Sequence, residues 1–210
     1  MSDNAQHWDG VFGLRGEEEL TWFQASAEPS LSLISEFAGG TAGGIIDVGA
    51  GASRLVDGLL EHGFTDIALL DISRKALDRT SQRLSKHRAE PEYITADITS
   101  WQPARKWHVW HDRAVFHFLT SRADQDAYLR ALKAATGPAS IVVIGTFTLE
   151  GPEKCSGLPV QRYSPETLAR RLGPDFALLK GQMHKHITPA RNVQKFAFSV
   201  LRRSPHPAPR

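Results

Sequence analysis

Residues 45–53, with the sequence IIDVGAGAS, constrain the fold of this chain more than any other segment. A run of β-branched apolar residues contains Asp47, and a Gly-x-Gly turn follows at Gly49 and Gly51. Apolar residues then recur at helical spacing over residues 55–60. The pattern predicts a buried parallel strand, a tight turn and a helix that packs back on the sheet. Such a turn places backbone N–H groups at the carboxyl edge of a sheet, where α/β proteins bind nucleotides.

Bulk properties restrict the class of protein. With 210 residues, the chain fits one α/β domain with a full core. Its net charge of +2 gives no argument for a nucleic-acid or membrane partner. Cys155 is the single cysteine, which excludes an internal disulfide and suits a reducing compartment. The first residues are polar, and no apolar run approaches the ~20 residues of a membrane span. We therefore expect a cytoplasmic protein.

Predicted strands alternate with predicted helices along most of the chain. The strands are expected at residues 44–48, 67–70, 93–95, 107–110, 141–144, 176–180 and 193–200. The last one alternates apolar and polar residues, which is typical of an antiparallel strand at a sheet edge. We expect one doubly wound α/β domain over residues 41–203, with a mostly parallel seven-stranded sheet, an antiparallel last strand and helices on both faces. Residues 1–40 are expected to form an aromatic lid segment and a helix, and residues 204–210 a disordered tail.

Four of the predicted strands end in an acidic residue, within the strand or just after it: Asp47, Asp71, Asp97 and Asp112. A doubly wound sheet brings such strand ends to one rim. Any one of these acids could cap a helix, but four in register favour a shared ligand site because buried carboxylates need partners. Asp71 lies twenty residues after Gly51, where a carboxylate can accept hydrogen bonds from both ribose hydroxyls of an adenosine.

Two departures from the dinucleotide-binding pattern argue against a nicotinamide dinucleotide as the ligand. Arg54 stands where the dinucleotide fingerprint has its third glycine. The chain also ends in two strands with an antiparallel edge, where a dinucleotide fold would continue with parallel βαβ units. These departures favour S-adenosylmethionine.

Four segments resemble the motifs of the class I S-adenosylmethionine-dependent methyltransferases, the seven-β-strand family, over roughly residues 8–202. They are IIDVGAGAS for motif one, LLDIS for motif two, ITADI for motif three and VWHDRAVFHFLT for motif four. The resemblance implies a Rossmann-like domain that binds S-adenosylmethionine and releases S-adenosylhomocysteine. The residues that it assigns to the cofactor are Trp8, Trp22, Asp47, Gly49, Ala50, Gly51, Asp71, Ile72, Asp97, Ile98, Asp112 and Arg113. Within this set, Asp71 would hold the ribose, Asp97 would lie near the adenine amino group, and Ile72 and Ile98 would contact the adenine.

Motif four resembles two groups within the family. The segment Asp-Arg-Ala-Val that begins at Asp112 is similar to the Asp-Arg-Gly segment of thiopurine S-methyltransferases and to the Asp-Lys-Gly-Thr segment of a group of protein lysine methyltransferases. Ala114 stands where both groups have glycine, so both alternatives stay open. In both groups an N-terminal aromatic segment covers the cofactor, and here Trp8 and Trp22 are the expected cover.

The implied reaction is the in-line displacement of a methyl group, for which alignment of the reactants is the enzyme's main task. Some acceptors must also lose a proton, and His111 and His117 are the candidate bases. Each could equally be a structural histidine. No combination of residues suggests a metal site, so we expect none.

Three functions remain open. The first is methyl transfer to a small molecule through a sulfur, oxygen or metalloid atom. The second is protein lysine N-methylation, and the third is cofactor binding without catalysis. Basic side chains in the late loops favour a small or anionic acceptor over a basic peptide: Lys154, Arg162, Lys185 and Arg191. No motif favours nucleic acid as a substrate.

Overall fold

A computed structural model describes residues 3–14, 16–85 and 90–205. The helices are α1 (Asp3–Leu14), α2 (Ser30–Phe37), α3 (Leu55–Glu61), α4 (Arg74–Leu84), α5 (Arg122–Ala135) and α6 (Pro165–Leu172). The strands are β1 (Ile45–Val48), β2 (Ile67–Asp71), β3 (Glu92–Thr95), β4 (Trp107–Arg113), β5 (Thr136–Phe147), β6 (Lys154–Cys155), β7 (Leu158–Pro159), β8 (Phe176–Ile187) and β9 (Val193–Arg203). Short 3-10 turns cover Glu17–Glu19 and Phe116–Phe118. The short strands β6 and β7 form a hairpin of their own that the sequence did not predict.

Seven strands form one sheet in the order β3-β2-β1-β4-β5-β9-β8. Strands β1 to β5 are parallel to one another, and β9 is antiparallel to both of its neighbours. The order reverses beside β1, which pairs with β2 on one side and β4 on the other. This reversal is the point where open α/β sheets bind ligands. The predicted doubly wound sheet with an antiparallel last strand is therefore confirmed.

The predicted position of the last strand was wrong. We expected β9 at the sheet edge, but β9 lies between β5 and β8, and β8 is the edge strand. The alternation in β9 distinguishes two covered faces: Phe196 and Phe198 pack in one core, and Leu201 packs in the other. The side chains of the edge strand β8 alternate between half-buried and exposed over most of its length.

Helices cover both faces of the sheet. On one face, α2, α3 and α4 bury their apolar residues against the sheet, and on the other face α5 and α6 do so. Serine caps begin three of these helices: the hydroxyls of Ser73, Ser121 and Ser164 accept hydrogen bonds from the backbone of α4, α5 and α6. Each of these caps satisfies a backbone donor that the first helical turn leaves free.

The N-terminal part of the chain packs over the glycine turn. Phe12 of α1 and Leu20 form a small core with Ala52 and Ala76. Residues 1–40 thus contain α1, a 3-10 turn and α2, and their treatment as a separate lid segment remains a prediction. Most of the predicted disordered tail, residues 206–210, lies outside the described residues. Among the helices that are described, none is long and apolar enough to cross a membrane.

Candidate active site

The glycine turn after β1 holds its shape through backbone contacts with β2. The N–H groups of Gly49 and Ala50 donate to the carbonyl of Leu70, at 2.7 and 3.1 Å. Gly49 has φ +70°, and a Cβ there would lie 2.0 Å from Cγ2 of Val115. The position therefore requires glycine for both its backbone conformation and its space.

Two carboxylates stand at the ends of β2 and β3. Asp71 accepts hydrogen bonds from the N–H groups of Gly51 and Ser73, both at 2.8 Å, and burial raises its pKa to about 6. Asp97 accepts from the backbone and the hydroxyl of Thr99, at 2.9 and 2.7 Å, and both bonds fall on Oδ1. The second oxygen of Asp97 makes neither of these bonds.

A cavity of about 440 Å³ extends along this edge of the sheet. Its size is typical of sites for small molecules and cofactors. Eleven of the twelve predicted cofactor residues line it: Trp8, Trp22, Asp47, Gly49, Ala50, Gly51, Asp71, Ile72, Asp97, Ile98 and Arg113. The sequence thus predicted nearly all of its cofactor residues to lie where the cavity wall is, although many other residues also line the cavity.

Asp112 is the exception, because its carboxylate faces the other side of the sheet. One oxygen accepts from Val115 N at 2.8 Å, and the other accepts from Phe116 N at 3.0 Å and from the Tyr128 hydroxyl at 2.7 Å. Successive side chains of a strand point to opposite faces, so Asp112 cannot share the direction of its neighbour His111. Asp112 closes the turn after β4 and does not line the cavity, and burial raises its pKa to about 6.

His111 lies in the cavity wall and is fixed on both sides of its ring. Its Nδ1 lies 2.6 Å from Oδ1 of Asp47 on β1, and its Nε2 lies 2.8 Å from the hydroxyl of Ser30 on α2. All three side chains are buried, and all three residues line the cavity.

His117 lies elsewhere, although the sequence proposed it as a base. Its ring is fully buried against Phe118 and Phe147, at centroid distances of 4.5 and 4.8 Å. Neither ring nitrogen has a hydrogen-bond partner among the residues that the structure describes, and burial lowers the pKa of His117 to about 3. His117 is absent from the cavity lining, so the structure does not bring it together with His111.

The N-terminal segment covers the cavity with aromatic rings. The ring of Trp8 packs edge to face against Trp22 and Phe118, with ring centroids 5.7 and 5.2 Å apart. The guanidinium of Arg113 donates to the carbonyl of Trp22, and Nε2 of His186 lies 2.7 Å from the carbonyl of Thr21. These contacts from β4 and β8 hold the segment in place.

An ion-pair cluster fixes the same segment at Glu17, between Trp8 and Trp22. Glu17 pairs with Arg54 at 3.1 Å and with Arg83 at 3.4 Å. Arg83 also donates to the carbonyl of Ser53 in the glycine turn, at 2.7 Å. Arg54, which replaces the third glycine of a dinucleotide site, therefore anchors the N-terminal segment.

One end of the cavity has a cationic wall. Arg113 is half-buried there, with its guanidinium 5.8 Å from the ring of Phe196. Burial lowers the pKa of Arg113 to about 10, and burial also raises the pKa of the nearby Cys155 thiol. Phe147, whose ring centroid lies 4.8 Å from that of Phe196, also lines the cavity, as does Gln194.

Sequence reasoning missed several residues of the wall. Ser30, Glu17 and Gln194 line the cavity but belong to no recognised motif. Ser30 contacts a histidine 81 residues away, so no local pattern could have identified it.

Residues 46–142 match a family model that is described as a methyltransferase domain. No curated protein sequence matches the chain.

Many solved structures share the fold. One was reported for the conversion of a disulfide bond into a thioacetal group during echinomycin biosynthesis; it has a TM-score of 0.76 and 17% identity, over 97% of this chain and 94% of that chain. The N-methyltransferase NodS from Bradyrhizobium japonicum, solved with S-adenosylhomocysteine, has a TM-score of 0.71 and 12% identity, over 96% and 99% of the chains. The 1,6-didemethyltoxoflavin-N1-methyltransferase from Burkholderia thailandensis has a TM-score of 0.70 and 14% identity, over 96% of this chain and 84% of that chain.

Proposed function

We propose that this chain is a class I S-adenosylmethionine-dependent methyltransferase and that it transfers the methyl group to a small molecule held in the covered end of the cavity. The cofactor supplies an activated methyl group on a sulfonium sulfur. The protein must then hold the cofactor, exclude water and align the acceptor, and alignment alone can lower a barrier by several kcal/mol.

The residues at the sheet edge suit this cofactor. Gly49 and Gly51, both with positive φ, leave the backbone free of side chains where a ligand must approach closely. We assign Asp71 to the ribose hydroxyls, because a carboxylate can accept from both. Ile72 and Ile98 offer apolar surface for the adenine ring, and Asp97 has an oxygen available for the adenine amino group.

We assign the acceptor to the end of the cavity near Arg113. The main support for this assignment is that the N-terminal segment, held by Arg113 and His186, lies over this end of the cavity. A peptide substrate needs an open groove, whereas this arrangement suits a molecule that fits inside. The activity in the name of the toxoflavin enzyme, which shares this fold, has a small-molecule acceptor.

The charge at this end of the cavity suits an anionic or electron-rich acceptor. Arg113 faces the cavity, and the carboxylate of Asp47 is engaged by His111. A lysine side chain would have to approach the guanidinium of Arg113 before it lost its proton, and like charges repel. Protein lysine methylation is therefore the less favoured alternative.

The test uses methyl-labelled S-adenosylmethionine and the purified protein in an extract from its own source, with the products separated by size. We expect label in the small-molecule fraction. Asp71→Ala should abolish this transfer, whereas the matched variant Asp78→Ala, on the exposed face of α4, should retain it. Label in a discrete protein band would contradict the proposal and identify a protein substrate.

A further inference from the structure

Three buried side chains from three separate elements form a hydrogen-bonded row beside the cavity. Asp47 comes from β1, His111 from β4 and Ser30 from the first turn of α2. The distances are 2.6 Å from carboxylate to Nδ1 and 2.8 Å from Nε2 to the hydroxyl. The exposed fractions of the three residues are only 3%, 2% and 3%, and each residue lines the cavity.

The donor and acceptor capacities of the three side chains determine where the protons in this row lie. An ionised carboxylate can only accept, so the proton between Asp47 and His111 belongs to Nδ1 of the imidazole. In the neutral ring Nε2 then carries a lone pair and must accept from the Ser30 hydroxyl. This leaves the lone pairs of the Ser30 oxygen free to accept a further proton. His111 has no ring nitrogen left to contact an acceptor directly.

We propose that the Ser30 hydroxyl contacts the methyl acceptor and passes the acceptor's proton to His111, while Asp47 holds the imidazole in position. The inference rests on the proposed function, because it concerns the acceptor of the same site. It makes Ser30 the catalytic residue, and His111 and Asp47 act through it.

The transfer balances without any further reactant. The acceptor's proton moves to the Ser30 oxygen as the hydroxyl proton of Ser30 moves to Nε2 of His111. The acceptor's electron pair forms the bond to the methyl carbon, and the pair of the broken carbon–sulfur bond stays on sulfur. The resulting imidazolium faces the Asp47 carboxylate and returns its proton to solvent after product release.

The charged groups around His111 are compatible with this role. Asp112 and Arg113 follow it on β4, with the Asp112 carboxylate on the opposite face, and β5 presents Val143 beside it. The Asp47 carboxylate that contacts the ring also interacts electrostatically with Arg113 and with Asp71. Asp47 is therefore the anion that contacts the ring and that can stabilise a transient imidazolium.

The first experiment tests the hydrogen bonds between Asp47, His111 and Ser30 by NMR, and it needs neither the cofactor nor an activity assay. We would record the ¹⁵N and ¹H NMR signals of the His111 ring in the wild type and in Ser30→Ala. The wild type should carry its proton on Nδ1, and loss of the serine should shift the Nε2 signal. Ser32→Ala, on the exposed face of the same helix, is the matched control and should shift neither. A His111 ring with its proton on Nε2 alone would overturn the proposal.

The second experiment measures label transfer in the extract as a function of pH. Ser30→Ala should slow transfer by about a hundredfold near neutral pH, the range of general base catalysis. The deficit should shrink as the pH rises, because hydroxide then removes the acceptor's proton. Ser30→Thr, which keeps a hydroxyl, should recover most of the rate. Affinity for S-adenosylhomocysteine, measured by calorimetry, should be the same in all variants.

The outcomes separate the two proposals. If Ser30→Ala transfers label at the wild-type rate with the wild-type pH profile, the relay is refuted while the proposed function stands. If the wild type labels no small molecule, the proposed function fails, and the NMR signals of His111 still decide whether the relay geometry exists.

Discussion

Replacement of Asp97 by Asn tests the assignment of the adenine with little disturbance of the protein. Both hydrogen bonds from Thr99 fall on Oδ1 of Asp97, and an asparagine carbonyl can accept both of them. The change then places an NH₂ group where the second carboxylate oxygen was. We expect the fold to be retained and one acceptor to be replaced by a donor.

The magnitude follows from one charge-assisted hydrogen bond. Loss of such a bond costs about 1.5–3 kcal/mol. This corresponds to a loss of affinity of about 10- to 150-fold for S-adenosylhomocysteine, since each 1.4 kcal/mol is a factor of ten. Asp97 is half-buried, so we expect a value in the lower part of this range.

The assay is calorimetric titration with two ligands. S-inosylhomocysteine carries an oxygen in place of the adenine amino group, so it presents an acceptor to residue 97. The wild type should prefer S-adenosylhomocysteine, and Asp97→Asn should weaken or reverse this preference. A folded variant with the same preference as the wild type would refute the position of the adenine.

Two further predictions concern stability, measured by urea unfolding. Gly49→Ala should destabilise the protein by about 1–3 kcal/mol more than Gly63→Ala. Both positions have positive φ, but only a Cβ at position 49 would lie 2.0 Å from Val115. Equal losses of stability would contradict the packing described for the glycine turn. His117→Leu should become more stable relative to the wild type as the pH falls. The pKa of His117 is about 3 in the folded protein against an ordinary 6.5, so below pH 6.5 the unfolded wild-type chain binds a proton that the folded protein does not. This protonation lowers the free energy of unfolding of the wild type and not that of the variant. The difference should grow by about 2 kcal/mol between pH 8 and pH 5, and a constant difference would show that His117 titrates normally in the folded protein.

The fold was largely predictable because its signals are local. Residues 45–60 encode a buried strand, a turn and most of a helix within one short segment. Asp71 is the last residue of β2, and Asp97 lies two residues after β3. Parallel strands bring such ends to one rim whatever the details of packing. The same logic predicted eleven cofactor-binding residues and His111 in the cavity wall.

The errors arose where alternation or proximity was ambiguous. The alternation in β9 could mean a solvent-facing edge strand or a strand between two different cores, and sequence alone does not distinguish them. Asp112 follows a strand like the other acids, but one position along β4 turns a side chain to the other face. The partnership of Ser30 with His111 spans 81 residues and follows from tertiary structure only.

In the proposed complex, the cavity holds the cofactor with its reactive end towards Arg113 and Ser30. A crystal structure with S-adenosylhomocysteine tests it most directly. We predict the ribose hydroxyls on Asp71, the adenine beside Ile72, Ile98 and Asp97, and the sulfur facing the space under the N-terminal segment. An adenosyl group bound elsewhere, or a sulfur turned away from Arg113 and Ser30, would contradict the account.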